Sequence, residues 1–72
     1  MERKEAVDLI KELIRLNLAH PSFVDLEKNE RGTYSVVLKA NGDLNQIRTF
    51  LAKTDLALLE DIEKDTCTIY KP

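Results

Sequence analysis

Seventy-two residues carry eleven basic and thirteen acidic side chains, for a formal net charge of −2. That length gives one domain with a thin core, burying roughly 60% of the surface the unfolded chain exposes. The charge balance argues against binding driven by phosphate neutralisation, which needs a basic surface, and a single cysteine, Cys67, excludes a disulfide among these residues.

Residues 3–19 read as an amphipathic helix. Ala6, Val7, Leu9, Ile10, Leu13, Ile14, Leu16 and Leu18 occupy one half of its circumference. Lys4, Glu5, Asp8, Lys11, Glu12 and Arg15 occupy the other. Pro21 marks its stop, because the residue before a proline avoids the helical region. Next, "FVDLEK" at 23–28 and "TYSVVLKA" at 33–40 flank "NERG". Branched and aromatic residues on either side of Asn and Gly predict a hairpin. "NGD" then predicts a turn, with Asp43 capping a second helix and Gln46 in the capping-box relation to it. Leu44, Ile47, Phe50 and Leu51 form that helix's apolar stripe. Residues 66–71, "TCTIYK", read as a strand.

The segment "DLALLEDIEK" at 55–64 is ambiguous. Its composition favours helix, whereas Leu56, Leu58 and Ile62 fit strand alternation. An internal echo decides for strand. Shifting the chain by 33 residues superposes Ile14 on Ile47, Arg15 on Arg48, Leu18 on Leu51 and Ala19 on Ala52. It also superposes Leu26 on Leu59, Glu27 on Glu60, Glu30 on Glu63 and Thr33 on Thr66. Background frequencies give roughly two such identities. The predicted fold is α+β in the order α-β-β-α-β-β. Two repeated αββ units, about 3–40 and 43–72, share one four-stranded antiparallel sheet with both helices on one face.

Alternation then assigns the sheet's sides. Tyr34, Val36, Leu38, Ala40, Cys67, Ile69 and Lys71 share the helix side with Val24, Leu26, Ala57 and Leu59. The open side takes Thr33, Ser35, Val37, Lys39, Thr66, Thr68 and Tyr70, joined by Phe23, Asp25, Leu56 and Leu58. Val37, Tyr70, Leu58 and Phe23 make an apolar patch there, and exposed patches mark docking surfaces. Val7 joins them as an interface candidate, since Ala6, Val7 and Leu9 belong to a stretch of helix with no counterpart in the second unit.

Chemistry is sparse. Cys67 falls on the core side, where cysteine acts as a small hydrophobe, and His20 follows the first helix, where a cation suits the dipole. No catalytic pair is expected. Glu60, Asp61, Glu63 and Asp65 cluster at one turn without calcium-loop spacing, so a solvated hairpin is expected rather than a metal site. Neither "NERGT" nor "NGDL" is a phosphate loop, and no cofactor is expected. No run is long enough to span a bilayer. "MERKEAVDLIKEL" is unlike a secretory signal, and a lone thiol suits a reducing cytoplasm. The function expected is a non-enzymatic protein–protein interaction or regulatory module that binds a protein partner or itself as a homodimer. The alternative is a ligand- or single-stranded nucleic-acid-binding domain using the open sheet face, with nucleic acid disfavoured by the charge balance.

Overall fold

The computed structural model describes residues 1–39 and 44–72. Helix α1 (Arg3–Arg15) leads through a 3₁₀ turn (Pro21–Phe23) into strands β1 (Val24–Lys28) and β2 (Tyr34–Lys39). Helix α2 (Leu44–Leu51) follows, then strands β3 (Ala57–Asp61) and β4 (Thr66–Tyr70). The four strands form one antiparallel sheet in the order β1-β2-β4-β3, so the fold class is α+β. Ala40 and the "NGD" turn with its Asp43 cap lie outside the described residues.

Helix α1 ends at Arg15, well before Pro21, and the cause is Asn17. Its φ of 62° is left-handed, a conformation asparagine tolerates better than other residues with a Cβ. The Asn17 amide donates to the Ile14 carbonyl at 3.0 Å, and the Leu18 amide donates to the Leu13 carbonyl at 2.8 Å. This is the double closure of a Schellman motif. It turns Leu18 back onto the core beside Leu13. The expected helical run to residue 19 was too long because the apolar rhythm continues through a cap.

Two hairpins make the sheet, and their turns differ. In the first, Asn29 Oδ1 accepts from the Arg31 and Thr33 amides at 2.9 and 3.1 Å, and Gly32 takes a φ of 83°. A left-handed residue at that point is what glycine supplies without strain. In the second, Asp65 holds the left-handed position at φ 54°, and Asp61 Oδ1 accepts from the Lys64 amide at 3.2 Å.

Five residues, 29–33, separate β1 from β2, but four, 62–65, separate β3 from β4. That odd difference changes the pairing parity. Leu26 faces Val36 in the first hairpin, whereas Leu58, not Leu59, faces Ile69 in the second. Because side chains alternate with period two, a one-residue slip moves a whole strand's set to the other face. The sides expected for β3 are therefore reversed. Leu56 and Leu58 pack against the core, while Leu59 is 62% exposed. Glu60 also turns to the helix side, where it forms an ion pair with Arg48 of α2.

The core lies between the helices and one sheet face. Ala6, Leu9 and Leu13 of α1 and Ile47 and Leu51 of α2 meet Val36, Leu38, Cys67 and Ile69. Ala6 and Leu13 are fully buried, so the N-terminal stretch of α1 covers the sheet rather than overhanging it. Met1, which the apolar pattern did not mark, joins this core. Its carbonyl accepts the Tyr34 amide at 2.7 Å, and its ammonium donates to the Tyr34 carbonyl at 3.2 Å.

Candidate functional site: the uncovered sheet face

Both helices bury their apolar stripes against the side carrying Val36, Leu38, Cys67 and Ile69. Among the described residues, no helix lies against the opposite side. Registration across all four strands lays its residues out in rows. One row runs Asp25, Val37, Thr68, Leu59 from β1 to β3. Ala57 stands opposite Tyr70, Glu27 opposite Ser35, and Thr66 lies between Lys39 and Asp61.

The middle of the face is apolar and hydroxylic. Val37, Tyr70, Ala57, Ser35, Thr66 and Thr68 are all half-buried. Charge sits toward the margins, with Asp25 and Glu27 on β1, Lys39 at the end of β2 and Asp61 at the end of β3. A shallow hollow of about 280 Å³ is lined by Ser35, Leu59, Thr68 and Tyr70 of this face, together with Met1 and Lys71. Lys71 lies 3.5 Å from both Asp55 and Glu5, and those two carboxylates, Asp55 first, raise its pKa above 10.5.

Of the five residues singled out from the sequence, Val37 and Tyr70 stand on this face. Leu58 does not; the β3 register turns it inward. Phe23 does not either. It lies in the 3₁₀ turn before β1, where strand alternation does not apply, with its ring 5.5 Å from that of His20. Val7 is half-buried on α1, on the far side of the sheet. Ala57 and Leu59 are the face residues that the repeat concealed. Leucine at both 58 and 59 left the side of this strand open, and the 33-residue shift assigned the wrong one.

The helix side holds a second concavity, a cleft of about 340 Å³ near the end of α1. His20, Phe23, Leu38, Lys39, Ile47 and Cys67 are among its lining residues. His20 and Cys67 thus both line one space. Cys67 is fully buried, and burial raises its thiol pKa above 9.0, partly offset by the Arg48 charge. A protonated, enclosed thiol is a poor nucleophile. His20 Nδ1 accepts the Ser22 amide at 3.1 Å, as the cap of the 3₁₀ turn. His20 also lies five residues beyond the end of α1, so its expected place at the helix's negative pole does not hold. Among the described residues, no three His, Cys, Asp or Glu side chains are grouped to hold a metal ion, and no helix is long and apolar enough to cross a membrane.

No protein-family model, curated protein or solved structure matches the chain.

Proposed function

We propose that the chain is a non-enzymatic interaction or regulatory module that receives a protein partner on the uncovered sheet face. One observation carries this reading. Val37, Tyr70, Ala57 and Leu59 sit among Ser35, Thr66 and Thr68 on a face that no helix covers among the described residues, and Asp25, Glu27, Lys39 and Asp61 stand at its margins. Such an apolar, hydroxylic centre within a charged rim is the anatomy of a protein–protein interface. The enclosed thiol of Cys67 and the occupied Nδ1 of His20 support a non-catalytic role.

A single-stranded nucleic acid on the same face is the competing reading. It is disfavoured by one aromatic, Tyr70, where stacking needs a platform, and by three carboxylates against Lys39. The two-unit origin of the fold is part of this proposal. Sheet order joins the hairpins through β2 and β4, and the left-handed residues Gly32 and Asp65 lie 33 positions apart.

The test is site-specific photo-crosslinking in the cells that make the protein. A photoreactive residue at Tyr70 or Val37 gives discrete protein adducts, while one at Lys11, on the outer face of α1, gives none. Equal labelling from all three positions, or binding of a short oligothymidine with shifts confined to this face, refutes the reading.

A further inference from the structure

We infer that this chain pairs with a second copy of itself, edge to edge through β3. The inference rests on the interaction-module reading and names one partner for it. The sheet order leaves two free edges, β1 and β3. Free edges present unpaired backbone groups, and charged side chains are among the devices that block them. The two edges differ in how they are guarded.

An isologous antiparallel pair keeps each copy's helix side on one side, so its two-fold axis must pass between one residue and the same residue of the second copy. For β1, the register that pairs all five residues is centred on Leu26. It sets Asp25 against the second copy's Glu27 and Glu27 against its Asp25, two like-charge contacts. Like charges directly opposite each other destabilise a strand pair. For β3, the full-length register is centred on Leu59, and no like charges meet within the strand. Leu59 meets Leu59 on the uncovered face. Ala57 meets Asp61, and Leu58 meets Glu60 on the helix side.

Exposure points the same way. Leu59 is 62% exposed and Ile62, just past the strand, is 88% exposed, while Leu16 and Phe23 stand at 40% and 38%. Of these, Leu59 alone stands within a strand, and that strand is this edge, with Ile62 in the turn that follows it. The strand contains no proline and no lysine, and its pairing with β4 runs without a bulge. A two-fold contact of this kind closes as a dimer, with an eight-stranded sheet, rather than growing into a filament.

Sedimentation of the full chain from micromolar to millimolar concentration tests this. The native chain goes from monomer to dimer mass, and Leu59→Lys stays monomeric with an unchanged circular dichroism spectrum. In a Cys67→Ala background, Leu59→Cys oxidises to a disulfide-linked dimer faster than Asp25→Cys, because only the former faces its own copy across the two-fold axis. A native chain that is monomeric at millimolar concentration, a Leu59→Lys dimer, or equal oxidation at the two positions overturns the pairing. A monomer that still gives foreign adducts from Tyr70 overturns the β3 pairing alone. The absence of both dimer and adducts overturns the reading beneath it.

Discussion

The register of β3 makes a quantitative claim about two adjacent leucines. Leu58 packs on the core opposite the fully buried Ile69, whereas Leu59 is 62% exposed opposite Thr68. Leu→Ala removes about three methylene equivalents, worth about 0.8 kcal/mol each when fully buried. Leu58→Ala thus costs about 2 kcal/mol, with a further contribution from any cavity that fails to collapse. Little more than a third of Leu59 is buried, so Leu59→Ala costs less than about 1 kcal/mol. Against a total stability of about 4–11 kcal/mol for a chain this size, the first loss is large. It lowers the melting temperature by about 8–16 °C, at about 4–8 °C per kcal/mol. The assay is urea and thermal unfolding at micromolar concentration, dilute enough that dimerisation does not enter the measured stability. A strict two-fold copy of the first hairpin places Leu59 inside and Leu58 outside. If Leu59→Ala costs as much as Leu58→Ala or more, the register described here is wrong.

Two further outcomes follow from single positions. Asn17 holds a left-handed cap, so Asn17→Gly leaves stability unchanged or raises it, while Asn17→Val costs about 1–2 kcal/mol in the same unfolding assay; equal stabilities remove the role assigned to the cap. Burial raises the Cys67 thiol above 9.0, with Arg48 acting in the opposite sense. The unfolded thiol ionises first, so this contribution is complete below pH 9.0 and is lost as pH rises through the folded value. Cys67→Ala therefore flattens the decline of stability on the alkaline side. Native Cys67 reacts with a thiol reagent far more slowly than the unfolded chain does, and comparable rates refute its enclosure.

How much could be read in advance varied with the range of the interaction involved. The α1 stripe was legible because Ala6, Leu9 and Leu13 recur at helical spacing, and the structure buries all three. The first hairpin was legible because "NERG" carries its own turn chemistry, with Asn29 closing the loop and Gly32 supplying the left-handed step. The placement of Val36, Leu38, Cys67 and Ile69 on one side followed from period-two alternation. Asn17 was a local signal too, overlooked because Leu16 and Leu18 continue the apolar pattern past the cap. Met1 gave no signal, since its part depends on a backbone contact with Tyr34, 33 residues away.

The candidate face was only half legible, for a definite reason. Val37 and Tyr70 belong to strands whose inner neighbours are unmistakably apolar, so their own side was fixed by exclusion. Strand β3 has leucine at both 58 and 59, and either can face inward. That choice rests on the number of residues between Asp61 and Thr66 and on which β4 residue each leucine meets. The sequence by itself determined both helices, three of the strands and their apolar side from periodicity and turn chemistry within a few residues, while β3 was read as a strand only through the 33-residue echo. Only the tertiary structure decided which face β3 presents, because register is a long-range pairing that four loop residues set differently from five. With it went the exposure of that edge: Leu59 turns outward only because Leu58 has taken the place beside Ile69.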